Sequence, residues 1–163
     1  MKVIFLDFDG VLNSRSMVFK HAEEDRKYDL YEEHLEVLDW IMSRVPDVFL
    51  VITSTWRFSY TLRELRRMMY ENGLRKEFAS RVISKTNRVH LDEHSRGSEI
   101  HNWLENNKKL ESFVIIDDYP IYGPKYLEKE NFLRTDNSYG LTYYDGEQAV
   151  SILNNTQMPV ILL

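Results

Sequence analysis

The chain contains no cysteine. That excludes disulfides, thiolate nucleophiles and cysteine-based zinc sites, and it is compatible with a reducing, cytoplasmic home. Proline and glycine are scarce, at 4 and 6 of 163 residues. No linker rich in either divides the chain, and repeats and low-complexity tracts are absent, so a single domain over residues 1–163 is expected. No apolar run is long enough to span a membrane. The apolar start is interrupted by Asp7 and Asp9, too early for a signal peptide, so no membrane partner is expected. A large charge of one sign is missing too. The net charge of −5 does not mark a nucleic-acid binder, although it leaves room for a local basic patch. The 5 histidines show no metal-ligand spacing. What the chain does have is a hydrophobic share of 43% and an aromatic share of 13%, enough for a globular core at this length.

The apolar residues come in bursts that alternate with helical patterns. "KVIFLDF" at the start, "VFLVIT" at 48–53 and "SFVIID" at 112–117 read as buried strands. "RVIS" at 81–84 and "FLRTD" at 132–136 read as shorter ones. Between them, Leu35, Leu38, Ile41, Met42 and Val45 recur at helical spacing over 31–45, and Pro46 stops that helix. "RFSYTLRELRRMMYENG" predicts a helix directly after the second strand, with Leu62, Leu65 and Met69 on one face and Gly73 as its cap. "GSEIHNWLENN" and "DGEQAVSILNN" are two more helices, and "PVILL" is a last strand or tail. Strands alternating with helices imply an α/β fold with a mainly parallel sheet covered on both faces.

In such sheets, ligands bind beyond the carboxyl ends of the strands. After the first strand stand Asp7, Asp9 and Gly10, after the second Thr53, Ser54 and Arg57, after the fourth Asp117 and Asp118. Converging carboxylates repel one another, and a hard divalent cation such as Mg2+ resolves the conflict while leaving room for a substrate phosphate. A carboxylate beside that cation can act as a nucleophile, and an acid two residues on can give and take a proton. The Thr53 hydroxyl and the N–H groups of Ser54 and Thr55 suit phosphate oxygens at a helix start. Arg57, one turn further in, can reach the phosphate or the substrate. Lys85 or Arg96 can supply a further cation.

Each feature has a plainer reading on its own. Asp9-Gly10 is a common turn, Asp117-Asp118 a helix cap, Thr53 an N-cap, and each basic residue a solvated surface charge. It is their joint arrival at the ends of separate buried strands that favours chemistry.

The pattern resembles the haloacid dehalogenase (HAD) superfamily of aspartate-nucleophile phosphohydrolases. "FLDFDGVLN" resembles the first motif, which implies Asp7 as nucleophile, Asp9 as general acid/base, and the Asp9 backbone carbonyl as a metal ligand. "VFLVITS" resembles the second, with Thr53 on phosphate. "FVIIDD" resembles the fourth, with Asp117 and Asp118 on the metal side. The order of "LDFDGVLN", "VITSTWR", "RGSEIHNWL", "FVIIDD" and "GLTYYDGEQAVSILN" resembles more narrowly the HAD domains of Swiss Army Knife RNA-repair proteins. In that likeness Arg96 takes the place of the third motif's Lys or Arg, which favours it over Lys85.

The resemblance implies a three-layer α/β/α Rossmann-like fold and a Mg2+-dependent phosphomonoesterase. The spacings leave no room for a full cap domain, and residues 14–30 are expected to form a flap over the site. The substrate is a phosphorylated small molecule or, alternatively, a nucleic-acid end in RNA or DNA repair. A non-catalytic binding module is the reading from outside catalysis, and the intact set Asp7, Asp9, Thr53 and Asp117 argues against it. Arg63, Arg66, Arg67, Arg75 and Lys76 either track a nucleic-acid backbone or form a solvated helix face. Trp56 and Trp103 are expected as core or shoulder residues.

Overall fold

A computed structural model describes residues 1–24, 30–88, 96–120 and 129–156. Its sheet has five strands, β1 (Lys2–Leu6), β2 (Val48–Ile52), β3 (Val82–Lys85), β4 (Ser112–Asp117) and β5 (Phe132–Arg134), ordered β3-β2-β1-β4-β5. All pairings are parallel. The expected α/β class is therefore observed. The central strand is the first in sequence, and both its neighbours come from later in the chain. The segment "PVILL" lies outside the described residues.

Alternation along the strands divides the core. Ile4 and Leu6 of β1, Leu50 and Ile52 of β2, and Val114 and Ile116 of β4 belong to the larger cluster. That cluster is completed by α2 (Glu32–Arg44), α3 (Leu62–Glu71) and α6 (Tyr143–Leu153). Val3 and Phe5, Val51, and Ile115 point the other way and pack with Ile100 and Trp103 of α5 (Arg96–Glu105). Trp103 meets Phe5 edge-to-face and donates its Nε1–H to the Ser84 hydroxyl at 2.8 Å, so it is a shoulder residue, as expected.

Helix ends follow local sequence rules. In α2, Glu32 and Glu33 open the first turn and Arg44 closes the last, each complementing the helix dipole. Thr61 and Glu64 form a capping box at the start of α3, and Thr142 and Asp145 form another on α6. At the end of α3, the N–H of Leu74 bonds to the Met69 carbonyl and that of Gly73 to Tyr70. This Schellman closure needs the positive φ of 123° that Gly73 supplies. The expected continuous helix from Arg57 is corrected. A short 3-10 turn (Thr55–Phe58) comes first, and α3 begins only at Leu62. A four-residue α4 (Lys76–Ala79) follows α3 and had no signal long enough to be read as a helix.

The expected flap begins with α1 (Arg15–Lys20), none of whose residues is buried. Its polar anchors are the N–H groups of Arg15 and Ser16, which donate to the carbonyls of Asn137 and Ser138, and the Lys20–Glu33 ion pair. Residues 25–29 of that segment lie outside the described residues.

His34 ties α2 to the start of α1. Its Nδ1 lies 3.1 Å from the Leu141 carbonyl and its Nε2 2.9 Å from the Ser14 hydroxyl. A carbonyl only accepts, so Nδ1 carries the proton and Nε2 accepts from Ser14. Burial lowers the His34 pKa below its ordinary 6.5. At this site the unfolded chain therefore binds more protons than the folded one in the window just below 6.5, so the contribution of His34 to stability falls as pH drops through it. We expect the stability advantage of the wild type over His34→Gln, read as the difference between their urea midpoints, to shrink from pH 7 to 5.5.

Candidate active site

Parallel pairing sets the site in one row. Leu6 pairs with both Ile52 and Ile116. One step further along lie Thr53, Asp7 and Asp117, with the Asp7 N–H on the Ile116 carbonyl and the Thr53 N–H on the Leu6 carbonyl. Each stands two residues after a side chain of the smaller core cluster: Val51, Phe5 and Ile115. Thr53, Asp7 and Asp117 therefore face the side of the sheet that α5 covers, and α5 begins with Arg96.

All three are buried, Thr53 and Asp117 fully so. The Arg96 Nη1 donates to Asp7 Oδ2 at 2.8 Å and to Asp117 Oδ2. Burial pushes the Asp7 pKa up against the pull of Arg96. Burial, then the charge of Asp7, hold the Asp117 pKa at about 7. Two buried polar atoms have no partner among the described residues, Asp7 Oδ1 and Thr53 Oγ1. Leaving such atoms unpaired is costly, and a ligand that pairs them recovers that cost.

Asp118 completes the acidic group. Asp7, Asp117 and Asp118 can each offer an oxygen within 4.8 Å of the others. Asn137 Nδ2 holds Asp118 Oδ2 at 2.8 Å, and the Tyr119 N–H holds Asp117 Oδ1 at 2.9 Å. Gly10 has a positive φ of 73°, and a Cβ there would lie 2.4 Å from the Asp118 carboxyl carbon. The Gly10 carbonyl accepts from the buried Thr135 hydroxyl at 3.0 Å. Gly10 thus lets the first loop and Asp118 approach each other, where the sequence reading placed it only after the first strand.

Asp9 stands apart from the buried row and is exposed. Its carboxylate accepts from Trp56 Nε1 at 3.2 and 3.1 Å and from Asn13 Nδ2 at 2.8 Å. Trp56 itself packs edge-to-face on Phe8. The shoulder role expected of Trp56 is met, and a second role comes with it. The sequence held no signal for that role, because it depends on two loops meeting.

The second-strand loop departs from expectation at Arg57. It does not project toward substrate. It is buried, donating through Nη1 to the carbonyls of Thr53 and Ser54, through Nε to the Thr86 carbonyl at 3.2 Å, and through Nη2 to buried Glu99. Its tight 3-10 turn points it inward, so it shapes the loop that carries Thr53. Ser54 is buried too, and its hydroxyl caps that turn by accepting from the Trp56 N–H. Between the two third-motif candidates, Arg96 touches the acids, whereas Lys85 Nζ donates to the carbonyls of Arg57 and Tyr60. Arg96 is also the first residue of α5, where the sequence reading set it just before the helix. In the basic run, Arg66 donates to the Val82 carbonyl, Arg67 pairs with Glu71, and Arg75 with Asp39 and Glu77.

A family model described as the HAD domain in Swiss Army Knife RNA repair proteins matches residues 3–145. No curated protein and no solved structure matches the chain. Among the described residues, no helix is long and apolar enough to cross a membrane.

The Arg57–Glu99 pair yields a stability test. Removing one member of a buried ion pair strands the other charge, at a cost of roughly 3–5 kcal/mol. We expect Glu99→Ala to lower the free energy of unfolding in urea by about that amount, and Glu99→Gln to cost less.

Proposed function

We propose that this chain, which belongs to the family of HAD domains in Swiss Army Knife RNA repair proteins, is a Mg2+-dependent phosphomonoester hydrolase. The observation that carries this reading is the pair of unpartnered buried atoms, Asp7 Oδ1 and Thr53 Oγ1, at the ends of neighbouring strands. One is an acceptor suited to attack or to a cation, the other a donor suited to a phosphoryl oxygen.

The residues fit a hard divalent cation. The donors are all oxygen, they converge from three carboxylates, and Arg96 alone does not balance their charge. Asp7, Asp117 and Asp118 would hold the ion, with the Asp9 carbonyl as the family resemblance implies. Bound there, Mg2+ offsets the charge of the phosphoryl oxygens.

The chain's own groups then divide the work. Asp7 attacks phosphorus in line, forming an aspartyl-phosphate as the ester P–O bond breaks. Asp9 gives its proton to the departing alcohol oxygen. Asp9 next takes a proton from water, which attacks the phosphorus and releases inorganic phosphate from Asp7. Thr53 and Arg96 hold the phosphoryl oxygens. Trp56 and Asn13 keep the Asp9 carboxylate aimed.

The family description favours one substrate class within this reading, a phosphate at a nucleic-acid end. Phosphorylated oligonucleotides, nucleotides and sugar phosphates compared side by side test it, and flat rates across oligonucleotide length count against end repair.

Asp7→Asn is expected to abolish hydrolysis of 4-nitrophenyl phosphate while the circular dichroism spectrum stays native. Full activity in that variant, or in excess chelator, would sink the mechanism. Trp56→Phe is expected to lower kcat roughly tenfold with KM little changed, because one charge-assisted hydrogen bond to Asp9 is lost. With Asp117 at about 7, protons compete with the ion. The carboxylate binds it only when ionised, so Mg2+ affinity measured by calorimetry should rise as pH increases through 7.

A further inference from the structure

Beside Asp9 the chain leaves a cavity of about 480 Å3. That is large enough for a small-molecule group. Asp9, Gly10 and Asn13 form one wall, and Val18, Phe19 and Ala22 form the other. Phe19 is 86% exposed and Val18 49%. Phe19, at that exposure, adds little to the hold on α1, whose polar anchors are backbone hydrogen bonds and the Lys20–Glu33 ion pair. An aromatic ring kept in water next to a cavity, on a helix secured by other means, is poised to cover a ligand.

The neighbour on the opposite wall says which part of the ligand this is. In the hydrolysis proposed above, Asp9 protonates the departing oxygen. A group in contact with both Asp9 and α1 is therefore on the leaving side of the ester. Beyond Arg15, the wall that Val18, Phe19 and Ala22 form is apolar and offers few partners for the hydroxyls of a sugar, while Phe19 offers a flat face. We infer that this cavity is the leaving-group subsite, and that it takes a planar aromatic group of the nucleobase type, stacked on Phe19. The inference rests on the phosphatase reading.

Such a base belongs either to a mononucleotide or to the end of a nucleic acid. Arg15 and Asn137 line both this cavity and a second one of about 500 Å3, whose walls also include Arg134, Tyr119 and the carboxylates of Asp118 and Asp136. A second phosphate, present only in the longer ligand, would meet Arg15 and Arg134 there and must avoid the charge of Asp118 and Asp136.

Equilibrium binding to the Asp7→Asn protein with Mg2+ present reads the subsite without turnover. Adenosine 5′-monophosphate should bind roughly tenfold more tightly than ribose 5-phosphate, the gain expected from stacking one base. Phe19→Ala in the same background should erase that ratio, and Phe19→Trp should restore it. Equal binding of the two ligands, or a preference that survives Phe19→Ala, overturns the subsite. A 5′-phosphorylated dinucleotide then names the source. Tighter binding than the mononucleotide, lost in Arg15→Ala, supports a nucleic-acid end, and equal binding supports a mononucleotide. In the wild-type enzyme the same preference should appear in kcat/KM. A wild-type protein that hydrolyses none of these esters sinks the phosphatase reading, whereas an active enzyme without the preference sinks the subsite alone.

Discussion

The guanidinium of Arg96 lies between two buried carboxylates, and the site depends on that contact. Asp7 and Asp117 sit at the ends of adjacent parallel strands, facing the same side, away from water. Without a cation, desolvation and mutual repulsion would drive protons onto them. Arg96 arrives as the first residue of the helix that covers that side of the sheet, so the helix that buries Ile100 also delivers the counter-charge. With a third acid, Asp118, beside them, the balance still leans negative, which is compatible with a metal ion there.

The remaining polar groups serve to hold this row in place. Arg57 spends its donors on the loop behind Thr53 and on Glu99, which also lies in α5. The second-strand loop is thereby tied to the helix that brings Arg96. On the other flank, Thr135 holds the Gly10 carbonyl and Asn137 holds Asp118. The first loop, the fourth strand and the segment after β5 are thus linked by hydrogen bonds that converge on Asp118. Asp9 alone stands outside this frame, on a carboxylate steadied by Trp56 and Asn13, where a proton can still reach water.

Much of this was legible in the sequence, for definite reasons. Apolar runs of strand length are hard to mistake when helical patterns separate them, and the residues just after such runs must stand at one edge of a parallel sheet. Asp7, Thr53 and Asp117 were found that way. The Schellman closure at Gly73 was legible because glycine marks it. The capping boxes at Thr61 and Thr142 carry a readable spacing that places the helix starts better than hydrophobic periodicity did. Arg57 was misread because periodicity does not separate a short 3-10 turn from the first turn of an α-helix, and the two aim the side chain differently. Glu99 reads as an ordinary polar residue of an exposed helix face. Only the fold shows it facing Arg57 across 42 positions of sequence. Trp56 was recognised as a packing residue, while its N–H was invisible to any local pattern.

The strand order has a consequence for how the molecule is made. β1 lies at the centre, yet the segments that flank it come from near residues 50 and 115. Two long loops must therefore close before Asp7 has a neighbour on either side, and loop closure is what makes non-local parallel sheets slow to form. Until β4 docks, the acids of the first loop remain in water at ordinary carboxylate acidity. Burial of Asp7 and its convergence with Asp117 arrive in the same step, so a chain interrupted before it would hold its first motif intact without the row of buried groups that the fold assembles around it.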